Sequence, residues 1–593
     1  MADPKDIKDI RLEYDLRTLL PILEKSGFIR ISEKKLIISR AKKAHLPANS
    51  PEGIDFLENL GLTIDRNNRR VVLDEETILG IIAEHFGLQF KKVDPVETDI
   101  EITTQTISES FARKNVLVPI KIVNGELQIL IFNPFRPELW EDMQRVTNLP
   151  CKIFLGTRKD ILRLIDDFYQ FKLSIRAAEK EFAASSDIGD MESRVRVADK
   201  SDAASQKHII KAVDYLMRSA IRERASDIHL EPKRKFALVK YRIDGMLHTM
   251  YRIPAIVHQA MLSRIKGMSR MDIAEKRRPQ DGRVQLVLED IPTDVRVSTI
   301  PIAFGEKMVM RLLSSESTLK PLEYLGMTEA QQKMYQNFLN QTYGLILVTG
   351  PTGSGKSTTL YSTMKSLADP HLNIVTLEDP IEMVVDEFNQ IGIQSRIGVT
   401  FPTMLRHILR QDPDIIMIGE MRDLETAEQA VQSALTGHLV LSTLHTNDAP
   451  SVFSRLREMG LENYLINSAI IGAMAQRLVR TICPHCRIKR KITEEDKKIW
   501  GIQEEFAEVD HIWEGEGCPE CRRTGYLGRS ALFEIVPFDA DMKEAVRNNA
   551  ELGDLRTLAR EKGIKTLFQD GLDKVRDGRT TVTEVLRVAG HVQ

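Results

Sequence analysis

Residues 350–357 combine glycine, lysine and serine at a spacing that suits phosphate binding. They read Gly-Pro-Thr-Gly-Ser-Gly-Lys-Ser, the G-x-x-x-x-G-K-S pattern of a loop that wraps around nucleoside triphosphate phosphates. Glycines let backbone N–H groups curl around phosphate oxygens, the lysine can reach the β- and γ-phosphates, and the serine hydroxyl can ligate Mg²⁺. We therefore predict ATP and Mg²⁺ binding, with Ser357 as the magnesium ligand, by Gly350, Pro351, Thr352, Gly353, Ser354, Gly355, Lys356, Ser357 and Thr358.

The sequence on both sides of this loop favours the same interpretation. Leu345 to Val348 is an apolar run of strand length, and the residues from Thr358 onward suit a helix. A phosphate loop needs this position, because the N-terminus of the following helix adds partial positive charge. A chance match in a glycine-rich turn is the alternative, and both flanking elements argue against it.

Two further predicted strands end in carboxylates. The segment at 373–382 ends with Glu378, Asp379 and Glu382, and Glu420 follows the apolar run at 415–418. In α/β sheets ligands bind at the carboxyl ends of the strands. We predict that Glu420 holds Mg²⁺ through water or polarises the attacking water, and we count the other three carboxylates as catalytic candidates.

Two histidines bracket a third predicted strand, Leu439 to Thr443. A single histidine beside a strand is usually a structural residue. His438 and His445 together flank a strand that we expect beside the phosphate site. We therefore predict that they sense the γ-phosphate.

Four of the five cysteines form two C-x-x-C pairs. Cys483 and Cys486 make the first pair, Cys518 and Cys521 the second, and 31 residues separate the pairs. Two such pairs can hold one tetrahedral Zn²⁺ with four thiolates, so we predict zinc, with redox-active thiols as the alternative. Basic residues near the pairs are compatible with a solvated face, nucleic acid, acidic lipid or a protein partner: Arg487, Lys489, Arg490, Lys491, Arg522, Arg523 and Arg529.

Composition limits the classes to which the chain can belong. Its 593 residues exceed one hydrophobic core and predict three or four domains. A hydrophobic content of 42% and a charged content of 28% are ordinary for a globular protein. The net charge of −2 gives no general basic surface, so we expect no nucleic acid. No apolar run nears the roughly 18 residues of a membrane span and the first residues are charged, so we expect a cytoplasmic protein.

Changes in pattern divide the chain into four parts. The first predicts a small α/β domain with an Asn124-Gly125 hairpin, and its Cys151 is interpreted as a small buried hydrophobe, not a reactive thiol. The second is small, polar and aperiodic, as in a flexible linker. The third is a second α/β domain and the fourth binds nucleotide. Their bounds are 1–171, 172–206, 207–318 and 319–593, the last including the tetracysteine segment at 481–530.

Two arginines of the second α/β domain lie in alternating segments. Arg296 stands between two valines and Arg311 between Met310 and Leu312, so each arginine faces away from an apolar face. Surface ion pairs are one interpretation. The other is contact with a phosphate, on a neighbouring subunit.

In combination these motifs resemble the type II secretion and type IV pilus assembly ATPases. The resemblance is dense over residues 206–593 and looser over residues 90–170. It is carried by the phosphate loop, the segments at 376–382, 415–423 and 436–447, the two cysteine pairs, and Arg-Ile-Asp-Gly at 242–245 and Arg-Pro-Gln-Asp-Gly-Arg at 278–283.

The resemblance implies an α/β fold: a RecA-like ATPase core, a preceding PAS-like domain, an N-terminal α/β domain and a zinc-binding insertion. It implies a cytoplasmic homohexamer whose ATP hydrolysis drives assembly of a type II secretion pseudopilus or type IV pilus at the inner membrane. The implied partners are an inner-membrane platform protein and a membrane-anchored protein that docks the N-terminal domain, giving peripheral membrane association. It also implies that Arg296 and Arg311 reach a nucleotide, with Arg455 a further candidate.

One ligand of this family is not expected here. Some members bind cyclic di-GMP through paired Arg-Leu-Gly-x-x-Leu segments near the N-terminus. This chain has only a partial match, Leu-Arg-Thr-Leu-Leu at residues 16–20. We therefore do not expect cyclic di-GMP to bind.

Two other classes of function remain as alternatives. A nucleic-acid-translocating motor of related fold would suit the basic residues near the cysteines, but the near-neutral charge argues against it. A nucleotide-binding scaffold without turnover is the other, and the presence of Lys356, Ser357 and Glu420 argues against that.

Overall fold

The structure is a computed structural model of the chain. It describes residues 14–44, 47, 52–66, 69–93, 102, 106–184, 203–314, 321–518 and 520–590. Two compact units divide the chain: the first is Met1–Arg242, Leu247–Val284 and Val297–Met310, and the second is Ile243–Met246, Gln285–Arg296 and Arg311–Gln593.

The N-terminal part of the first unit is an α/β domain. Four of its strands form one sheet in the order β3-β6-β5-β4, and β1 pairs with β2. The elements are α1 Leu16–Lys25, α2 Ile31–Lys43, α3 Gly53–Asn59, β1 Thr63–Arg66, β2 Arg69–Val72, α4 Glu75–Phe86, β3 Gln89–Phe90, α5 Glu109–Asn115, β4 Leu117–Val123, β5 Glu126–Ile131, α6 Pro137–Thr147, β6 Cys151–Leu155 and α7 Arg158–Asp166.

The hairpin predicted in this domain is confirmed. Strands β4 and β5 pair antiparallel, and Asn124 and Gly125 between them have φ values of +53° and +80°. Two consecutive positive φ angles are what a two-residue hairpin turn requires, and asparagine and glycine tolerate them best. Cys151 lies half-buried at the start of β6, and burial raises the pKa of its thiol to about 11, which agrees with an unreactive cysteine.

The segment after α7 stays helical where the sequence suggests a linker. A π-helical stretch at Asp167–Lys172 leads into α8, Leu173–Ala184. Helix α8 thus occupies the first part of the predicted linker, residues 172–206. Residues 185–202 of that linker lie outside the described residues.

The second α/β domain is built around a six-stranded sheet in the order β10-β11-β12-β7-β8-β9. Apolar side chains alternate with polar ones along its strands, so Val295 and Met310 are buried while Arg296 and Arg311 lie on the opposite face. The elements are α9 Ala203–Arg222, β7 Ala225–Pro232, β8 Phe236–Ile243, β9 Met246–Pro254, α10 Ala255–Met268, β10 Gln280–Leu288, β11 Ile291–Ile302 and β12 Gly305–Ser314.

A seven-stranded sheet forms the centre of the second unit, in the order β15-β14-β16-β17-β13-β18-β21. All neighbouring pairs are parallel except β18 and β21. Its elements begin with α11 Glu329–Leu339, β13 Gly344–Thr349, α12 Lys356–Leu367, β14 Ile374–Glu378, β15 Asn389–Gly392, α13 Phe401–Ile408, β16 Ile415–Ile418, α14 Leu424–Leu435, β17 Leu439–Leu444, α15 Ser451–Glu458, α16 Asn463–Ala469 and β18 Ile470–Ile482.

Both faces of this sheet are covered, which explains its continuous apolar strands. Strand β13 alternates between two cores: Leu345 and Leu347 belong to one, and Ile346 and Val348 belong to the other. A parallel strand buried on both sides needs apolar residues at every position.

The remaining elements complete the second unit. A small hairpin of β19 and β20 lies between the two cysteine pairs, and β21 returns to the large sheet. These elements are β19 Arg487–Lys491, α17 Glu494–Trp500, β20 His511–Gly515, β21 Tyr526–Pro537, α18 Ala540–Arg547, α19 Leu552–Glu561, α20 Leu567–Arg576 and α21 Val582–Ala589. Within the described part of the chain, no helix has the length and apolar character needed to cross a membrane.

Candidate active site

The carboxyl edge of the seven-stranded sheet collects most of the predicted chemistry. Strands β14, β16, β17 and β13 are parallel neighbours, so the loops that follow them meet at one edge. The phosphate loop follows β13, Glu378 ends β14, Glu420 follows β16 and His445 follows β17. Motifs that are far apart in sequence are thereby brought to the same edge.

The phosphate loop passes so close to β18 that two of its positions accept only glycine. A Cβ on Gly350 would lie 2.5 Å from the Gln476 carbonyl oxygen. A Cβ on Gly355, where φ is +89°, would lie 2.8 Å from Gln476 Nε2. Ser354 is buried in the loop, and its Oγ has no hydrogen-bond partner among the described residues. A buried unpaired hydroxyl is costly, so this loop fits a ligand with hydrogen-bonding oxygens, as phosphates have.

Lys356 begins helix α12 and turns back toward the loop. Its Nζ donates to the carbonyl oxygens of Gly350 at 2.8 Å and Pro351 at 3.2 Å. Burial lowers the pKa of Lys356 to about 8, although the charge of Glu420 acts in the opposite direction. A desolvated ammonium beside the loop N–H groups suits an incoming phosphate, and Ser357, exposed at the helix start, is available to ligate Mg²⁺.

Glu420 emerges from β16 between the side chains of Arg422 and His445. Its Oε1 pairs with the guanidinium of Arg422, and its Oε2 lies 3.7 Å from His445 Nε2. At that distance the imidazole and the carboxylate share no direct hydrogen bond. The Glu420 side chain is 16% exposed and that of Arg422 is 67% exposed, so the carboxylate is shielded yet lies at an open edge. A carboxylate in this position can orient a water or hold a metal-bound water.

Glu378 has a different environment, because its carboxylate is engaged inside the domain. It is buried and accepts hydrogen bonds from Tyr361 Oη at 2.5 Å and Gln390 Nε2 at 3.1 Å. These bonds tie β14 to helix α12 and make Glu378 an anchor for the loop that follows. Asp379 and Glu382 are the more open carboxylates of that loop.

The two predicted histidines lie at opposite ends of β17, which runs parallel to β13 and in register with it. His445 follows the last residue of β17 and lies at the edge of the phosphate loop. His438 precedes the first residue, where its Nδ1 lies 2.8 Å from the Ser433 carbonyl oxygen. Six strand residues lie between them, so seven steps of about 3.3 Å put about 23 Å between the two histidines. The γ-phosphate sensor therefore stays a prediction for both histidines, and the strand geometry favours His445.

The three predicted arginines are placed in the second unit. Arg296 donates to the Ile381 carbonyl oxygen and lies 3.9 Å from the Glu382 carboxylate. Arg311 is exposed on β12, and Arg455 on α15 pairs with Glu458 at 3.2 Å. Their contacts with a nucleotide stay predictions.

Sequence reasoning missed two arginines at this edge. Arg422 lies two residues after Glu420, and no periodicity distinguishes it from a solvent-facing arginine. Arg477 comes from β18, a strand without a chemical motif. Only the strand order of the sheet reveals that β18 lies beside the phosphate loop.

The four clustered cysteines form a second candidate site. Their ligand atoms all lie within 4.8 Å of one another. The Sγ atoms of Cys483 and Cys518 are 3.7 Å apart, those of Cys486 and Cys521 are 3.8 Å apart, and those of Cys518 and Cys521 are 3.7 Å apart. A regular tetrahedron of sulfurs about 2.3 Å from a central Zn²⁺ has edges of about 3.8 Å.

Backbone N–H groups point at these sulfurs, as thiolates require. Gly517 N donates to Cys486 Sγ at 3.3 Å, while Cys518 N and Gly525 N donate to Cys521 Sγ at 3.1 and 3.2 Å. Burial raises the pKa of the Cys521 thiol, but these donors outweigh it and lower the pKa to about 7. The donor set therefore fits a structural Zn²⁺ with no open coordination position.

The fold and the carboxyl-edge site define a RecA-like P-loop nucleoside triphosphatase. Residues 202–587 match the family model described as Type II/IV secretion system protein, and residues 86–175 match the MshEN domain. The chain belongs to the type II/IV secretion system protein family, and it is an ATP-hydrolysing enzyme. The expectation that cyclic di-GMP does not bind stays a prediction.

Similar proteins carry names from both branches of this family. The type IV pilus assembly ATPase TfpB of Acinetobacter baylyi is 40% identical over 97% of this chain and 98% of its own length. The type II secretion system protein E of Xanthomonas campestris is 37% identical over 94% of this chain and 96% of its own length. Among solved structures, the pilus retraction motor PilT with bound ADP has a TM-score of 0.43 and 24% identity over 63% of this chain and 96% of that chain.

Proposed function

We propose that this chain forms a cytoplasmic homohexamer at the inner membrane, where its ATP hydrolysis drives assembly of a type II secretion pseudopilus or a type IV pilus. The observation that carries the proposal is the meeting of the phosphate loop, Glu420 and His445 at one sheet edge. The names of the similar proteins support the filament-assembly role.

Each group at the edge receives one role in hydrolysis. Lys356 and the loop N–H groups bind the phosphates, and Ser357 ligates Mg²⁺, which supplies charge to the phosphates when bound. Glu420 orients the attacking water, and His445 contacts the region of the γ-phosphate. Asp379 and Glu382 are further candidates.

The arginines of the second domain complete the site across a subunit boundary. Arg296 and Arg311 lie on the polar face of neighbouring strands, β11 and β12, so they can act together. An arginine that contacts the γ-phosphate loses its partner after hydrolysis, and the contacts of the two states then differ. This difference supplies the motion that does mechanical work. Arg455 is placed on the nucleotide side of the same cycle.

The partners follow from the need to deliver that motion to a filament. We infer an inner-membrane platform protein, and a membrane-anchored protein that docks the N-terminal domain. Association with the membrane is then peripheral and made through these partners. The four cysteines hold Zn²⁺ and stabilise the segment between the two pairs, without a part in hydrolysis.

The composite site is tested by mixing two inactive variants. Lys356→Ala removes phosphate binding, and Arg296→Ala with Arg311→Ala removes the contributed arginines. Each preparation alone should be nearly inactive. Mixed hexamers should recover part of the activity, because some interfaces then combine an intact phosphate loop with intact arginines.

An arginine outside the proposed site serves as the control. Arg234→Ala, an exposed arginine between β7 and β8, should leave activity unchanged. Full ATPase activity in a monomer confirmed by mass photometry, or no recovery in hexamers shown to be mixed, would contradict the composite site. The filament role fails if loss of the gene leaves both secretion and surface pili intact.

A further inference from the structure

Arg477 lies at the phosphate loop although no motif marks it. Strand β18 runs parallel to β13, and Thr349, the last residue of β13, pairs with Ala475. The next two residues of β18 therefore reach the carboxyl edge. Arg477 is 9% exposed there, and a Cβ added to Gly350 would lie 3.1 Å from its Nη1.

The Arg477 guanidinium donates hydrogen bonds to the segment that follows β17. Its Nη2 donates to both the carbonyl oxygen of Asn447 at 3.1 Å and the side-chain Oδ1 of Asn447 at 3.3 Å. Its Nη1 donates to the Gln476 carbonyl oxygen at 3.3 Å. Among the residues the structure describes, no ion pair is found for Arg477, and the carboxylates of Asp448 and Glu534 act on it through their charge alone. A planar fork that serves two acceptors of one residue fixes orientation as well as distance.

The segment held by Arg477 carries His445. Residues 446–448 are each fixed by a different side chain: Thr446 N donates to Thr349 Oγ1 at 2.7 Å, and Arg556 Nη2 donates to Asp448 Oδ2 at 2.6 Å. Arg477 supplies the middle attachment. The His445 side chain is 51% exposed, and among the described residues its one ion-pair approach is the 3.7 Å distance to Glu420, so the backbone that follows sets its position.

We propose that Arg477 is a positioning residue for ATP hydrolysis. It holds Asn447, and through the backbone it holds His445 against Glu420 and the phosphate loop. The inference rests on the proposed role of His445. It adds Arg477, from β18, to the residues that support hydrolysis. A displacement of the order of 1 Å at such a group can cost about 100-fold in rate.

The first test is Arg477→Lys, which keeps the charge and removes the fork. We expect kcat to fall roughly 10- to 100-fold, while the affinity for ADP in isothermal titration changes less than about threefold. Arg457→Lys is the matched control, since Arg457 in the same unit donates to the Ala550 carbonyl oxygen at 2.9 Å, and it should behave as wild type. An unchanged kcat overturns the proposal. Equal losses of kcat and ADP affinity also overturn it, because Arg477 would then be a binding group.

The second test asks whether Arg477 acts through His445. If it does, Arg477→Lys combined with His445→Ala should be no slower than His445→Ala alone. Multiplied losses in the double variant overturn the positioning role and leave His445 in place. A His445→Ala enzyme with wild-type kcat removes both the sensor role and this inference.

A third variant covers the case in which Arg477→Lys lowers the Tm. Asn447→Ala removes the side-chain acceptor and keeps the carbonyl acceptor, so we expect a smaller fall in kcat of about threefold at unchanged Tm. A wild-type kcat for Asn447→Ala, together with a destabilised Arg477→Lys, overturns the proposal in favour of a purely structural arginine.

Discussion

The phosphate-loop edge and the tetracysteine cluster are organised in opposite ways. The four sulfurs lie 3.7 to 3.8 Å apart along three of their contacts and form a closed set from two short turns. The edge is assembled from loops of several strands, and Arg422 beside Glu420 is 67% exposed. A closed set of donors suits a structural ion, whereas an open edge allows a substrate to enter and a product to leave.

Backbone N–H groups do comparable work in both places. In the cluster they donate to thiolates of the chain itself, as Gly525 N does to Cys521 Sγ at 3.2 Å. At the edge the glycine-rich loop leaves its N–H groups free of Cβ atoms for a phosphate. The difference is whether the anion belongs to the protein or arrives with the substrate.

Removing the Glu420 carboxylate should have the largest effect on the open edge. We expect Glu420→Gln to lower kcat about 10²- to 10⁴-fold, since an amide cannot polarise water, while ATP affinity stays near wild type. Single-turnover hydrolysis measures the fall in rate, and ADP titration measures the nucleotide affinity. Glu425→Gln, an exposed neighbour paired with Arg406 at 2.8 Å, is the control. Hydrolysis by Glu420→Gln at the wild-type rate would refute its role.

The two histidines of β17 offer a matched pair for the same edge. His445→Ala should lower kcat roughly 10- to 100-fold, because it removes a group close to Glu420. His438→Ala should leave kcat unchanged, because His438 lies at the opposite end of the strand. Equal kcat losses in both variants would mean that the sheet edge does not separate the two roles.

Removing two of the four clustered cysteines should affect the stability of their segment without affecting nucleotide binding. Cys483→Ser with Cys518→Ser should release one Zn²⁺ per chain and increase hydrogen exchange between residues 483 and 525. ADP affinity should remain within about twofold of wild type, since none of the four cysteines belongs to the phosphate-loop edge. Cys151→Ser should keep its zinc. Elemental analysis that finds no zinc in the wild-type protein would restore the redox interpretation of the cysteines.

The smallest expected effect is the pH dependence of nucleotide binding. The pKa of Lys356 is lowered to about 8 in the free protein, mainly by burial, and a bound phosphate favours the charged form. ATP affinity should therefore be flat below pH 8 and fall by at most about tenfold per pH unit above it. The same lowered pKa affects folding stability in the opposite direction. Between about pH 8 and about 10.4 the unfolded chain binds the Lys356 proton and the folded chain does not, so the free energy of unfolding should rise with pH in that range. Calorimetric titrations of the protein with ATP at pH 8.5, in two buffers of different ionisation enthalpy, should give different heats because a proton is taken up on binding. Equal heats in the two buffers would refute the lowered pKa of Lys356.

Local patterns predicted the parts of the molecule that depend on neighbours in sequence. The phosphate loop, the Asn124-Gly125 hairpin and the cysteine pairs each need only a few adjacent residues. The direction of β17 likewise distinguishes His445 from His438, because only residues at the carboxyl end of a parallel strand reach the edge that holds Glu420.

Other parts required the order of strands, which a single sequence does not contain. Arg477 reaches Asn447 because β18 and β17 flank β13, and Tyr361 reaches Glu378 because α12 lies over β14. Such contacts join residues with no shared periodicity. Helix α8 was missed for another reason: the polar composition around it hides a short apolar pattern.

Strand β18 connects the two regions mechanically. It runs without interruption from Ile470 to Ile482, carries Arg477 beside the phosphate loop and is followed at once by Cys483. It pairs with β13 as far as Ala475 and with β21 from Gly472 to Ile482, with a register shift between Arg480 and Ile482. The six residues from Arg477 to Cys483 span about 20 Å, so a tilt of about 5° at the phosphate loop displaces the cysteine end by about 2 Å. A small rotation of β18 at the site of hydrolysis would therefore become a larger displacement at the cysteine cluster.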